Sequence, residues 1–300
     1  MDNNISEIIE KKMNKKKKWG IIFLVFFFVL FVLSTPFNSN DTIIHIRDGQ
    51  SIDSLTQELH SKNVIRNEFF FKFFIKIVKS GQGVISGDYL IIKNSPVWVV
   101  AWQVGRGYHN IEPIKVTIRE GLTNVEMANI FSSKLIDFNK NSFLNGIEGR
   151  QGYLFPDTYY VYGMDTPDEI IEKLSNNFKN KIKKINTSLI ESGKTLSDIV
   201  VMASILEWEA GGKDDIGIIS GILWRRISIG MPLQVDIDKT TYNTKGLPVK
   251  PLNNPGLLSI EAAINPISSS YLYYLHDKNG NVHYAKTFED HKLNIKDYLK

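Results

Sequence analysis

Val201-Met202-Ala203-Ser204-Ile205-Leu206-Glu207-Trp208-Glu209-Ala210-Gly211 is the stretch that decides the fold of this chain. Upstream of it, Thr195 and Asp198 have the spacing of a capping box, which predicts that a helix begins there. Apolar residues then recur at the i, i+3, i+4 and i+7 positions of one helical face. They are Ile199, Met202, Ala203, Leu206 and Ala210. Gly211 and Gly212 predict the end of this buried helix, whose last turn carries two glutamates.

Glu207 interrupts the apolar pattern. At about 100° per residue it aligns with Leu196, Val200 and Ala203 rather than with a polar face. A structural glutamate in this position would pair with a basic residue or lie at the edge of the apolar face. A catalytic glutamate would be a general acid, because an apolar environment raises the pKa of a carboxyl group. The helix alone leaves both interpretations open.

The charge distribution separates a basic N-terminal tail from a nearly neutral body. The chain has 300 residues, no cysteine and a net charge of +4. Six lysines and three acidic residues give residues 1–18 a net charge of +3, which leaves +1 for residues 19–300. The body therefore gives no support to nucleic-acid binding. The missing cysteine excludes disulfides, thiolate metal sites and a cysteine nucleophile.

Residues 19–37 form an uncharged run of 19 residues. At about 1.5 Å per residue, a helix of this length just crosses a bilayer. The lysines before it predict that residues 1–18 stay in the cytoplasm and that the chain beyond Phe37 is periplasmic. A cleaved signal peptide is the alternative, but the run is long and no small-x-small cleavage site follows it. We therefore predict a single transmembrane anchor.

Two segments of the chain resemble each other and indicate an internal repeat. Residues 46–51, Ile-Arg-Asp-Gly-Gln-Ser, match residues 118–123, Ile-Arg-Glu-Gly-Leu-Thr. Each predicts a strand, a tight turn with an acid and a glycine, and a Ser- or Thr-capped helix. This opening resembles half of a LysM-type module, a small fold that binds N-acetylated glycans. Residues 41–115 are therefore predicted to be a LysM-like module, and a purely structural βα repeat is the alternative.

Two further features of the N-terminal half are predicted. Residues 69–79 are rich in phenylalanine and lysine, which predicts an amphipathic helix that either packs on the first repeat or lies on a membrane surface. Residues 86–91 and 114–118 are predicted to be strands around the second repeat.

Several strings in the C-terminal half resemble those of one enzyme family. Residues 152–159 are similar to "GYLFPDTY", residues 203–209 to "ASIVEKE" and residues 230–236 to "GMxLQSD". Shorter matches follow at 242–244, 246–248 and 254–256. Together these strings resemble the MltG (YceG-like) endolytic murein transglycosylases, and the likeness runs from the predicted anchor to the C-terminus.

The resemblance implies an α+β chain in which residues 116–300 form a mixed α/β catalytic domain. It implies a lytic transglycosylase that cuts the MurNAc–GlcNAc β-1,4 bond within peptidoglycan strands, leaves 1,6-anhydroMurNAc ends and terminates nascent strands. The implied partners are glycan strands, the inner membrane and peptidoglycan synthases. The family match makes Glu207 the catalytic acid. The candidate substrate contacts are Tyr153, Glu209, Gln234, Asp236 and Asn243.

No cofactor or metal is predicted. His283 and His291 could suggest a metal site, but no third ligand has metal-like spacing to them.

The chain departs from the family strings around the predicted site. Gln151 stands where the family has Glu, Ile237-Asp238 replaces Pro-Thr, and Lys245 replaces a Tyr. Residues 236–242 are also a shortened segment. These departures motivate a second hypothesis, a non-catalytic, membrane-anchored glycan-binding scaffold of the cell-wall machinery.

Overall fold

The computed structural model describes residues 15, 17–26, 28, 40–78, 84–209 and 215–299. The chain divides into two compact units, residues 1–113 and 114–300. Residues 17–26 are helical, but no helix within the described ranges is long and apolar enough to cross a membrane. Most of the predicted tail (1–18) and most of the predicted span from residue 27 onward lie outside the described residues.

The first unit packs an antiparallel strand pair against helices. Its elements are β1 (Thr42–Ile46), α1 (Ile52–Ser61), α2 (Glu68–Val78), β2 (Gly87–Ile91) and α3 (Val97–Arg106). β2 pairs with β1, which places Tyr89 opposite Ile44. The strand expected beside the second repeat therefore belongs to the first unit, because Tyr89 and Ile91 complete the core that Ile44 and Ile46 begin.

The same local architecture opens the second unit. Its first elements are β3 (Ile114–Thr117), α4 (Asn124–Lys134), α5 (Lys140–Gly146), β4 (Thr158–Val161) and α6 (Pro167–Lys184). β3 pairs with β4 antiparallel, as β1 pairs with β2. Ser51 caps α1 and Thr123 caps α4, and Gly49 and Gly121 adopt left-handed φ of 70° and 79° in the preceding turns. The predicted strand–turn–helix repeat is present in both units, and its glycan binding stays a prediction.

The remainder of the second unit surrounds the segment that opened the sequence analysis. Its elements are α7 (Asn186–Glu191), α8 (Leu196–Glu209), α9 (Ile216–Ser228), a 3-10 turn (Lys239–Tyr242), α10 (Leu257–Ile264), β5 (Tyr273–His276), β6 (Val282–Ala285) and α11 (Phe288–Tyr298). Thr195 Oγ1 accepts a hydrogen bond from Asp198 N at 3.1 Å, as the capping box predicts. The predicted stop at Gly211 lies outside the described residues.

α8 is buried on all sides over most of its length. The eight consecutive residues 199–206 are buried, although the sequence predicts a single apolar face. Ser204 makes this possible for a polar residue, since its hydroxyl donates to Val201 O at 2.7 Å and accepts from Leu252 N at 3.0 Å. The last turn leaves the core, and both glutamates lie there.

The loop before α10 is held by a buried asparagine. The Asn254 side-chain oxygen accepts from Gly152 N at 2.8 Å and from Leu154 N at 3.2 Å. Its amide nitrogen donates to Leu122 O and to Asn124 Oδ1, each at 3.0 Å. The fully buried Asn254 therefore ties three separate segments together and fixes where α10 begins.

Candidate active site

The two glutamates at the end of α8 point in different directions. They are two residues apart, which is about 200° around a helix. Glu207 contacts the loop that begins α10, whereas Glu209 contacts β5 and the segment after α9. The two carboxyl groups therefore have separate surroundings and separate chemistry.

Glu207 caps the N-terminus of α10. Its Oε2 accepts from Gly256 N at 2.9 Å and from Ser259 Oγ at 2.7 Å. Gly256 is the N-cap residue, and no side-chain cap hydrogen bond is made by this residue itself. A carboxylate is favoured at a helix N-terminus, where backbone N–H groups lack partners and the helix dipole is positive. Glu207 thereby joins the end of α8 to the start of α10.

A second carboxylate lies at the same helix start. A Cβ on Gly256 would come within 1.8 Å of Glu120 Oε1, so the Glu120 side chain would have to move to admit a larger residue. Glu120 belongs to the turn between β3 and α4, which the sequence repeat identified without assigning a role.

Glu209 lies in a desolvated setting. Burial raises the pKa of the Glu209 carboxyl, and the hydrogen bond from the Tyr274 hydroxyl lowers it by less. Tyr274 Oη donates to Oε2 at 3.1 Å, and Asp236 N donates to Oε1 at 3.3 Å. Burial also raises the pKa of Tyr274 well above its ordinary value, so this hydroxyl remains a donor. Glu209 is therefore poised to hold a proton at a higher pH than an exposed glutamate does.

A cleft of about 470 Å³ opens next to Glu209. Polar groups and aromatic rings share its walls, a mixture that suits a sugar ring with its apolar faces and hydroxyl edges. The lining residues are Glu209, Arg226, Gln234, Asp236, Tyr242, Tyr273, Tyr274, Leu275, His276, Phe288, His291, Ile295 and Leu299.

Arg226 supplies a buried positive charge to this cleft. It is 5% exposed, and its guanidinium donates to Leu272 O at 2.7 Å and to Leu233 O at 2.5 Å. Burial and then the charge of Arg226 lower the pKa of His291, so this imidazole is neutral at neutral pH. His291 stacks on Tyr273 with ring centroids 5.2 Å apart. The cleft thus contains a cation, a neutral imidazole and a carboxyl group of raised pKa.

Asp236 has the opposite electrostatic character to Glu209. Its side chain accepts from Lys239 Nζ and from the Tyr242 hydroxyl, the latter at 2.8 Å. The Lys239 hydrogen bond, followed by that of Tyr242, lowers the pKa of the Asp236 carboxyl. Glu209 and Asp236 line the same cleft, and their pKa values are shifted in opposite directions. One is therefore suited to donate a proton and the other to stay ionised.

Comparison with known proteins identifies the family. The family model described as "YceG-like family" matches residues 44–240 and 237–297 of this chain. The chain belongs to the YceG-like family. The match covers most of the described residues of both units and every residue that lines the cleft at Glu209 except Leu299.

The relatives found by comparison share one name. A Bacillus subtilis protein named "Endolytic murein transglycosylase" is 25% identical over 85% of this chain and 84% of its own length. Two Streptococcus pneumoniae proteins of the same name are 22% identical to this chain. Each alignment covers 94% of this chain and 65% of the Streptococcus protein. A crystal structure of a yceG-like protein from Listeria monocytogenes is 25% identical, with a TM-score of 0.55 over 85% of this chain and 99% of that one.

The structure places the sequence-predicted site residues in three locations. Gln234 and Asp236 line the cleft with Glu209. Tyr153 packs on Phe178 in the core, with ring centroids 5.3 Å apart. Asn243 is exposed at the end of the 3-10 turn and is not among the residues that line the cleft. The predicted catalytic role of Glu207 stays a prediction.

Several functional candidates were missed from the sequence. Arg226 and Tyr274 follow ordinary helix and strand patterns, and only their partners in the fold reveal them. The sequence did offer one signal for Arg226, which is a basic residue on the apolar face of α9. A charge on such a face is buried and needs partners, so it indicates a special site.

The two histidines weighed as metal ligands have different surroundings. His283 Nε2 lies 3.1 Å from Asp277 Oδ2, and its ring stacks on Tyr298. His291 lines the cleft instead.

Proposed function

We propose that this chain is an endolytic peptidoglycan lytic transglycosylase whose general acid is Glu209. The observation that carries the assignment is a carboxyl group of raised pKa at the wall of a cleft that fits a sugar. The names of the relatives support the reaction and the substrate. Catalytic acids need a pKa near the working pH, and burial provides that shift here.

Glu209 suits this role better than Glu207, which the sequence favours. Two donors hold Oε2 of Glu207, and both belong to the start of α10. Glu209 also accepts two hydrogen bonds, one on each oxygen, so the number of donors does not separate the two residues. Burial raises the pKa of Glu209, and this residue lines the cleft, where a glycosidic oxygen can reach it.

The first step transfers one proton. Protonated Glu209 donates to the oxygen between MurNAc and GlcNAc, and the bond from MurNAc C1 to that oxygen breaks with the electron pair leaving on oxygen. Positive charge develops at C1 as the GlcNAc-bearing strand departs. The Tyr274 hydroxyl and the Asp236 backbone N–H stabilise the carboxylate that remains.

The second step returns the proton to Glu209. The carboxylate removes the proton from the C6 hydroxyl of the same MurNAc, and O6 forms a bond to C1. The product end is a 1,6-anhydro ring, and Glu209 is protonated again. Because the nucleophile is intramolecular, its high effective molarity replaces a second carboxylate that would activate water.

The walls of the cleft position the glycan. Tyr242, Tyr273 and Phe288 line the cleft and offer apolar surface to the sugars. Asp236, kept ionised by Lys239 and Tyr242, and the amide of Gln234 offer hydrogen bonds to hydroxyl and N-acetyl groups. No cofactor takes part in this scheme.

A pair of matched variants tests the acid. Glu209→Gln and Glu207→Gln make the same change two residues apart, and neither glutamine can deliver a proton. Glu209→Gln should lower the release of anhydro-muropeptides from glycan strands by about 10²–10⁴-fold or more, because one group serves both steps. Glu207→Gln should retain most activity. Mass analysis of the digest gives the rate, and thermal melts check folding.

The reverse result would return the assignment to Glu207. If both variants fold and cut at the wild-type rate, neither glutamate is the general acid. If the folded wild-type protein releases no anhydro-muropeptides, the enzyme proposal is wrong and the glycan-binding scaffold is favoured. Glu209→Gln should also melt no lower than wild type at neutral pH, since a desolvated carboxylate is removed. Because the pKa of Glu209 is higher in the folded than in the unfolded protein, the gain in stability is fully present above the folded-state pKa. It disappears as the pH falls below the unfolded-state pKa.

The location of the enzyme is part of the proposal. The lysine-rich tail and the uncharged run 19–37 support a single-pass anchor in the inner membrane with both units in the periplasm. There the enzyme would cut strands as synthases make them and so end their growth. Alkaline phosphatase fused after residue 300 should be active, and an inactive fusion with an active cytoplasmic reporter would contradict this orientation.

A further inference from the structure

The helix α2 of the first unit has two apolar faces. Phe71 and Ile75 are buried in the core of the unit. Phe69, Phe73 and Ile77, which we call the outer stripe, are 71%, 50% and 65% exposed. Packing in the core of the first unit therefore accounts for the buried face of this helix but not for the outer stripe.

The outer stripe is continuous along the helix. Its members are spaced four residues apart, so they follow one another along one side, each displaced by about 40° from the last. Lys72 and Lys76 lie along one edge of the same side. Lys72 pairs with Asp53 at 2.7 Å, and Lys76 is exposed. An exposed aromatic stripe bordered by lysine is the pattern of a helix that lies in a membrane interface.

The chain before the first unit brings this stripe close to a bilayer. The uncharged run ends at Phe37, and β1 begins at Thr42. Only residues 38–41 separate them, and an extended chain spans about 3.5 Å per residue, so the tether is at most about 18 Å long. A unit held on so short a tether stays within its own diameter of the headgroups.

We propose that the outer stripe of α2 inserts into the interface between the lipid headgroups and acyl chains of the membrane that holds residues 19–37. The inference rests on the anchor of the proposed function. The contact gives the first unit a second attachment and restricts its rotation about the tether. Anionic lipid headgroups complement Lys76 at the edge of the stripe.

The size of the stripe favours lipid over a second protein. Its three side chains expose roughly 350 Å², since a full Phe side chain covers about 200 Å². One partner in a stable protein interface buries about 800 Å². A bilayer needs no matching surface, and three apolar side chains on a tethered unit are enough to hold an orientation.

Single-cysteine labelling tests the contact in the full chain. The chain has no native cysteine, so Ile77→Cys and Ile190→Cys each carry one label. The two isoleucines are similarly exposed, 65% and 70%, and Ile190 lies on α7 of the second unit. Each variant receives a nitrobenzoxadiazole fluorophore and is reconstituted into nanodiscs of phosphatidylethanolamine and phosphatidylglycerol in equal parts. Brominated lipids serve as quenchers.

The label at position 77 should emit at shorter wavelength and be quenched by brominated lipid, and the label at position 190 should do neither. Adding Phe69→Ser and Phe73→Ser should reduce the quenched fraction at position 77 about tenfold or more, because most of the inserted apolar area is lost. Thermal melts of the same variants in detergent check that the first unit stays folded.

Other outcomes overturn the proposal and distinguish it from the anchor. A water-exposed label at position 77 in nanodisc-bound protein excludes the contact and leaves the anchor intact. A shifted but unquenched label means that protein or another copy of the chain covers the stripe. Equal quenching at position 190 means non-specific adsorption. A chain that does not copurify with nanodiscs contradicts the anchor, and this inference falls with it.

Discussion

At the scale of single residues, the two glutamates in the last turn of α8 differ in chemistry because different groups contact their carboxyl oxygens. Glu207 receives two hydrogen bonds from the start of α10. Glu209 loses solvent, and a tyrosine hydroxyl only partly compensates. Hydrogen bonds to a carboxylate favour the charged form, whereas desolvation favours the protonated form. Glu209 also has two donors, but burial outweighs them, so Glu209 is suited to give away a proton.

Tyr274→Phe tests this balance. The hydroxyl lowers the pKa of Glu209, so its removal raises that pKa further. Because the first step needs protonated Glu209, the loss of activity at alkaline pH should move to higher pH. The maximal rate should fall less than the roughly 10²-fold expected for loss of the acid. The measurement is the pH profile of anhydro-muropeptide release.

Tyr242→Phe is the matched control. Its hydroxyl lies on the same cleft but donates to Asp236 rather than to Glu209. This variant should leave the alkaline limb in place. An unchanged profile for Tyr274→Phe would show that Glu209 does not govern the pH dependence.

At the scale of elements, two glycines let α9 approach the backbone of the segment after α10. Ile267 N donates to Gly217 O at 2.9 Å, and Gly221 lies one turn further along the helix. A Cβ on Gly221 would come within 1.9 Å of Ile267 O, a backbone atom that cannot rotate away. Ser220 and Trp224 also donate to Ala262 O and Ala263 O on α10. These contacts fix the position of α9, and α9 in turn places Arg226 at the wall of the cleft.

Gly221→Ala should therefore destabilise the second unit, although alanine normally stabilises a helix interior by about 1 kcal/mol relative to glycine. Overpacking typically costs about 1–3 kcal/mol, and here it displaces backbone, so the larger figure applies. Gly217→Ala is the control in the same helix, because its Cβ meets only the flexible end of the Ile267 side chain. Urea unfolding should rank Gly221→Ala well below Gly217→Ala, and equal stabilities would refute the close approach.

At the scale of the whole molecule, each unit has its own core. The core of the first unit is formed by residues between 44 and 104, and two clusters serve the second. The Glu209 cleft is lined entirely by residues of the second unit. The sequence-based boundary at 115 falls inside β3, whose first residue, Ile114, begins the second unit.

Removal of residues 41–113 should therefore leave the chemistry in place. The shortened protein should fold, judged by a cooperative melt, and should release anhydro ends from soluble glycan strands at a rate within about tenfold of the full chain. Its binding to intact sacculi should weaken, since the segment predicted to be LysM-like is gone. Undiminished sacculus binding would contradict the predicted glycan role of that part, and lost cutting by folded protein would contradict a self-contained catalytic unit.

Local rules in the sequence determined much of the fold. Caps at Thr123, Thr166 and Thr195 define helix starts, because a side-chain oxygen must satisfy N–H groups that the helix leaves free. The likeness between residues 46–51 and 118–123 predicted matching strand–turn–helix units. Helix α3 was missed, since its run Val-Trp-Val-Val-Ala-Trp has no periodicity that separates a buried helix from a buried strand.

The sequence also determined that Glu207 and Glu209 lie on different faces of α8, because helical geometry is local. Which face meets solvent, donors or a cleft was decided only by the tertiary structure. Tyr274 lies 65 residues from Glu209, and Ser259 lies 52 residues from Glu207. Desolvation and hydrogen bonding come from such distant partners, so the raised pKa of Glu209 is a property of the folded chain.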